Sequence, residues 1–244
     1  MQTILVLNSK GGSGKSTVAT NLASYYAGQE FKTALMDYDP QGSSLQWLKL
    51  RPVSANSIHG ANAAKQKTGI IRSWKMNVPT DTEKLIIDVP AGVEGLLLQE
   101  TVRKADCIVI PVGPSSIDVH ATADFIRDLL LIGKVRQTKT QLAVLANRVR
   151  ASMPIYEPLE RFLTSLKLPF VTRLSDSDNY IHAYAQGLGI HELDRDTGKE
   201  REEFQPLINW LSNPLNKLVS PKLTTAPRSI NKVAKIQPLP GIRL

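Results

Sequence analysis

Lys10-Gly11-Gly12-Ser13-Gly14-Lys15-Ser16-Thr17 stands between an apolar run, Thr3-Ile4-Leu5-Val6-Leu7, and a stretch with apolar residues at every fourth position. The first run reads as a buried strand. Beyond Lys15 the spacing is helical: Val18, Leu22 and Tyr26 lie four apart, Ala19 and Ala23 lie beside them, and Gly28 is a helix stop. In such a strand–loop–helix unit, Gly11, Gly12 and Gly14 let the backbone wrap closely around phosphate oxygens. The loop amides, Ser13's among them, and the helix N-terminus then face the anion with partial positive charge. Lys15 is placed to neutralise β- and γ-phosphates, the Ser16 hydroxyl to bind Mg²⁺, and Thr17 to hydrogen-bond a phosphate oxygen. The bland alternative, a glycine-rich turn with stray lysines, is disfavoured by that flanking context.

Outward from the loop, short β-branched runs alternate with helical stretches. Thr33–Met36, Leu85–Ile87, Cys107–Ile110, Leu142–Ala146 and Phe170–Thr172 read as further strands. Ser115 or Ser116 is positioned to cap a helix carrying Ile117, Ala121, Phe125 and Leu129 at four-residue spacing. Helices are also expected over Pro154–Leu166, Asp178–Gln186 and Glu200–Leu211. Such alternation predicts an α/β fold with a mainly parallel twisted sheet and helices on both faces. Ligands of such sheets bind beyond the carboxyl ends of the strands. The segment Ser54–Pro79 is polar and without clear period, and is expected to form a helix and loop over a sheet edge.

The chain has 244 residues, 42% hydrophobic and 21% charged, enough for a full core. No apolar run approaches the length of a membrane span, and Met1–Leu7 lacks the basic leader and long apolar stretch of a signal peptide. A lone cysteine, Cys107, excludes an internal disulfide framework, and its apolar run marks it as a small core residue. A reducing cytoplasm fits. His59, His120, His182 and His191 are scattered without metal-site spacing.

The net charge is +8 and unevenly distributed. From Phe204 to Leu244 there are six basic residues, Lys217, Lys222, Arg228, Lys232, Lys235 and Arg243, and no Asp or Glu. The domain boundary is therefore placed at 1–212, with 213–244 as a basic, proline-rich tail. Either the tail is simply solvated or it meets a polyanion. Its longest proline-free stretch, Arg228–Gln237, is too short to be a stable isolated helix.

The ordinary phosphate-loop pattern has a glycine where this chain has Ser9, and this chain adds Lys10. That K-G-G-x-G-K-[ST] form resembles the deviant Walker-A motif of the ParA/MinD family. Asp37-Tyr38-Asp39-Pro40-Gln41-Gly42 resembles the family's D-x-D-P-Q-G segment, and Asp88-Val89-Pro90-Ala91-Gly92 its Walker-B motif. Asn147-Arg148 looks like the adenine-contacting N-R pair. Pro111–Asp118 resembles the P-x-x-P-S-x-x-D segment flanking the nucleotide. The likeness spans about residues 1–212 and is nearest to the short ParA, ParF-like subgroup, to which carboxysome-positioning ATPases are related.

The resemblance implies a P-loop NTPase fold and a slow, partner-stimulated ATPase with ATP and Mg²⁺ as cofactors. Ser16 would hold the metal directly and Asp88 through water. Asp39 would orient the attacking water, with Asp37 as runner-up or supporting partner. Lys10 would reach the nucleotide of a second copy, so ATP would drive homodimerisation. It further implies non-specific DNA binding on the nucleoid and a cargo adaptor that stimulates hydrolysis, the cargo being a plasmid, a chromosome or a protein body. Arg148, Arg150, Arg161, Lys167 and Arg173 are the candidate DNA contacts. With the first strand at Thr3, no sequence-specific operator-binding module is expected. A MinD-like membrane-attached ATPase is the competing reading, disfavoured by the proline-rich tail. Nitrogenase iron-protein-like enzymes need more cysteines, and the tyrosine kinases of this superfamily end in a tyrosine cluster, whereas no tyrosine follows Tyr184.

Overall fold

In the computed structural model the described residues are 1–64, 78–131, 140–150, 156–165 and 167–213. Seven strands form one sheet: β1 (Gln2–Val6), β2 (Thr33–Asp37), β3 (His59–Asn62), β4 (Lys84–Asp88), β5 (Cys107–Val112), β6 (Gln141–Val149) and β7 (Phe170–Ser175). Their order is β3-β2-β4-β1-β5-β6-β7, and every pairing is parallel. The helices are α1 (Lys15–Gly28), α2 (Ser43–Leu50), α3 (Gly95–Lys104), α4 (Ser116–Leu131), α5 (Glu157–Ser165), α6 (Asp178–Ala185) and α7 (Gly198–Ser212).

The apolar strands are buried on both sides, which is why they read as continuous hydrophobic runs rather than alternating ones. Leu5, Ile87, Ile110 and Val144 turn to one layer, packed with Val102, Phe125 and Leu159. Ile4, Val6, Ile86 and Val109 turn to the other, packed with Val18, Leu22, Trp47 and Phe204. Cys107 is fully buried there, and burial pushes its thiol up to about 11, as for a core residue.

Two local expectations change. His59–Asn62 pairs with β2 as an edge strand, Ala34 opposite His59 and Asp37 opposite Asn62, so part of Ser54–Pro79 is sheet and not helix. Residues 65–77 of that segment lie outside the described residues, as do the helix ends at Pro154 and Leu166 and the whole tail from 214. On α4 the buried stripe is Val119, Thr122, Phe125, Ile126 and Leu129, while Ile117 is 71% exposed. Four-residue spacing drifts around a 3.6-residue helix, so a line through the buried Leu129 and Phe125 has left the core face by Ile117. Ser115 supplies the cap: its hydroxyl accepts from the Asp118 amide at 3.1 Å and donates to the Asp118 carboxylate at 2.6 Å.

A buried ion pair fastens the end of α2. Arg51 Nη1 donates to Glu192 Oε2 at 2.9 Å and to the Gly187 carbonyl at 3.1 Å. Glu192 also accepts from the Ser24 hydroxyl at 2.6 Å and the Gly189 amide at 3.1 Å. The Arg51 side chain is only 5% exposed. Arg51→Ala strands a buried carboxylate, which costs about 3–5 kcal/mol, and is expected to lower the midpoint of thermal unfolding by roughly 10 °C. Burial alone would raise the Glu192 pKa, but the bonds from Arg51, Ser24 and Gly189 and the Arg51 charge outweigh it, leaving a net depression. The stabilisation is therefore complete above the unfolded pKa of about 4.3 and fades as pH falls through the folded value. Calorimetry across that acid range should show the mutant's deficit shrinking.

Candidate functional site

Five strands deliver their carboxyl ends to one place. The central β1 leads into the glycine loop, β2 into Asp37–Gly42, β4 into Asp88–Gly92, β5 into Pro111–Asp118, and β6 ends at Asn147–Val149. The sequence placed its candidate residues at these ends, and the sheet brings them together.

The loop is shaped by a few contacts. Gly14, immediately before α1, has φ +90°, a left-handed conformation that favours glycine. Asn147 Nδ2 donates to the Ser13 carbonyl at 3.0 Å, and a Cβ on Gly14 would lie 1.8 Å from that nitrogen. No side chain caps α1 and no carboxylate stands in its first turn, so its leading amides present positive charge to the loop. Gly11 and Gly12 are exposed, and Ser16 and Thr17 are half-buried at the helix start.

Asn8 is a site residue that the sequence reading passed over. It is buried at the end of β1, where its Nδ2 donates to the Pro111 carbonyl at 2.7 Å and to the Thr122 hydroxyl at 3.1 Å. Its Oδ1 accepts the Lys10 amide at 3.2 Å. An asparagine closing an otherwise apolar strand was the available signal, since a buried amide requires partners.

The two loop lysines differ. Lys15 is 8% exposed, and its Nζ donates to the Lys10 carbonyl at 3.0 Å. Burial lowers its pKa, while the charges of Asp88 and Asp39 act to hold the proton on. Lys10 is half-buried.

The acidic residues form a graded set. Asp37 is fully buried and accepts the amides of Asp39 at 2.8 Å, Ser44 at 3.1 Å and Leu45 at 3.3 Å. It ties the start of α2 to β2, and burial pushes its carboxyl up despite those amides. Asp39 is half-buried and its Oδ1 accepts the Gln41 amide at 2.9 Å, so it shapes a turn as well as facing the site. Asp88 is 2% exposed and accepts hydroxyls from Ser44 and Ser16. Burial raises its carboxyl to about 6 against those two bonds and the Lys15 charge, with Asp37 adding to the rise.

A hydroxyl and a carboxylate at a phosphate loop are hard oxygen donors. They fit Mg²⁺, which takes one or two protein oxygens and completes its shell with phosphate and water. Three of the five candidate DNA contacts are held in ion pairs. Arg150 pairs with Asp176 at 3.0 Å, Arg161 with Glu157 at 3.7 Å, and Arg173 with Glu160. Arg148 is exposed with φ +55°, turning outward while its neighbour Asn147 turns in.

A parallel sheet with a glycine-rich loop between its central strand and the next helix defines a P-loop nucleotide-binding protein. The family model of the CobQ/CobB/MinD/ParA nucleotide binding domain matches residues 4–190, and the chain belongs to that family. Among curated proteins it is similar to the "Maintenance of carboxysome distribution protein A" of Halothiobacillus neapolitanus: 24% identical, covering 85% of this chain and 94% of the relative. Among solved structures it is similar to an ATP complex of Cyanothece McdA at a TM-score of 0.64 and 17% identity, covering 85% and 96% of the two chains. It also resembles the AMPPNP-bound plasmid partition protein BB_S35 of Borrelia burgdorferi B31, at a TM-score of 0.66 and 15% identity over 86% and 98%. Among the described residues no helix is long and apolar enough to cross a membrane.

Proposed function

We propose that this chain is an ATPase that pairs with a second copy when it holds ATP, binds DNA without sequence preference in that state, and so segregates or positions a cargo. The observation that carries the reading is the pair of lysines on one loop: Lys15 is buried beside Asp88 and Asp39, and Lys10 is less buried.

By this reading the loop amides of Gly11–Thr17 and the Lys15 ammonium hold the β- and γ-phosphates. Ser16, and Asp88 through water, hold Mg²⁺, which when bound neutralises charge on the phosphate oxygens. Asp39 orients the attacking water, because it is the half-exposed acid of the set, while Asp37 is fully engaged with backbone amides. Asn147 and Arg148 flank the base. Lys10 completes the partner's site in the manner of an arginine finger. The ion pairs of Arg150 and Arg161 are the more exposed, and such pairs contribute little, so phosphates can replace their acidic partners.

The test is sizing of the full chain with Mg²⁺ and a non-hydrolysable ATP analogue, against ADP. Gel shift with random-sequence DNA and co-sedimentation with anionic liposomes run in parallel. The expected result is a doubling of mass with the analogue only, and DNA retention in that state that collapses between about 50 and 200 mM salt. A monomer with both nucleotides overturns the switch. Liposome capture without a DNA shift replaces DNA by a membrane.

A further inference from the structure

Asp88 stands at the end of β4, at the point where two other elements converge on it. On one side stands Ser16 at the start of α1, whose side chain acts to hold the Asp88 charge. From the other comes the Ser44 hydroxyl, in the first turn of α2. Ser44 is fully buried, so its hydroxyl has no water to fall back on and must be satisfied within the protein. Its backbone is fixed as well, since its amide and that of Leu45 both donate to Asp37 Oδ2. The start of α2 is held a third time by Tyr184, whose hydroxyl donates to the Ser43 carbonyl at 2.8 Å. The side chain that contacts Asp88 is thus anchored from three directions.

We infer that Ser44 is a positioning residue for the metal-holding carboxylate: its hydroxyl fixes the orientation of Asp88 relative to Ser16 and so sets how readily the site takes Mg²⁺ with its nucleotide. The inference rests on the nucleotide reading proposed above and adds to it a residue outside the loop and the acidic segments. A carboxylate next to a metal is oriented by rotation about two bonds, Cα–Cβ and Cβ–Cγ. A single donor leaves that rotation open. A second, from a rigid element on the opposite side, removes it before the metal arrives. The arrangement also gives Asp37 a role, since it holds the backbone that carries Ser44.

The experiment compares wild type with Ser44→Ala and Ser44→Thr. A fluorescent ATP analogue is titrated first in EDTA and then at rising Mg²⁺, with a thermal melt of each variant. Ser44→Ala is expected to need about tenfold more Mg²⁺ for half of the metal-dependent gain in nucleotide affinity, the scale of losing an outer-shell partner. Its affinity in EDTA should remain within about twofold of wild type, because the phosphate loop is untouched. Ser44→Thr, which keeps the hydroxyl, should restore the Mg²⁺ requirement. Should Ser44→Ala fail to fold, Ser44→Cys, nearly the same size with a weak donor, takes its place. An unchanged Mg²⁺ requirement in a folded variant lacking the hydroxyl overturns the inference. Loss of affinity equally with and without Mg²⁺ also overturns it, since Ser44 then only props the loop. A wild-type chain that binds the analogue in neither condition overturns the nucleotide reading itself.

Discussion

Gly14→Ala is expected to lower nucleotide affinity by at least about 100-fold while leaving a folded chain. Two causes act together at this position. The backbone sits at φ +90°, where an added Cβ costs about 1–2 kcal/mol. The new methyl would also lie 1.8 Å from Asn147 Nδ2, and Asn147 is buried, 3% exposed, with its amide committed to the Ser13 carbonyl. Either Asn147 leaves, orphaning a buried carbonyl, or the loop shifts and its amides no longer converge. Losing two amide bonds to a charged phosphate, each about 1.5–3 kcal/mol, reaches the stated factor. Isothermal titration with ATP and Mg²⁺ measures it. Gly28→Ala is the control, for its Cβ meets nothing within 4 Å and its backbone lies outside the left-handed region; it should bind normally and be as stable as wild type or slightly more so. Normal binding by Gly14→Ala would show that the loop does not hold the phosphates in this backbone conformation.

The same site shows where sequence is informative and where it is not. Glycines, lysines and acids that lie within one loop or end one apolar strand are legible, because the apolar run fixes the strand and the strand fixes where its end goes. The sheet's interior strands were legible for that reason. The edge strand β3 was not: in His-Gly-Ala-Asn only Ala61 is buried, so no hydrophobic period exists to read. Helix α2 is short and buries only Ser44 and Trp47, again too little for a period. Asn8 and Ser44 acquire their roles from partners far along the chain, Pro111 and Thr122 for one, Asp88 for the other. The Arg51–Glu192 pair joins residues 141 positions apart. No local pattern encodes such couplings, for they follow from the crossover order of the strands. Asp37 and Asp39 are the instructive pair. They are identical in sequence terms, two apart in one segment, and the fold separates them by burial into an anchor and a half-exposed acid.

Lys10→Ala should leave the chain able to bind ATP, but unable to form the ATP-dependent dimer, with turnover reduced by about 10³-fold, the lower end of what an arginine finger supplies in GTPases. Lys10 contributes its carbonyl to Lys15 and its amide to Asn8, both backbone groups that alanine retains. The intramolecular loop is therefore preserved, and only an ammonium is removed. If that ammonium served the nucleotide of its own chain, affinity would fall in the isolated subunit, in proportion to one lost charge contact. If it serves the nucleotide of a second copy, the monomer's affinity is nearly unchanged and the loss appears in association. Two facts favour the second outcome: Lys15 is already buried beside Asp88 and Asp39, and Gly11 and Gly12 next to Lys10 are exposed. Equilibrium nucleotide binding at nanomolar protein, where dimers do not form, separates the two contributions from sizing at micromolar protein. A Lys10→Ala chain that dimerises with the analogue as wild type does, or whose affinity as a monomer falls by a full charge contact, would place Lys10 in its own chain's chemistry, and the sandwich of two copies would have to be abandoned.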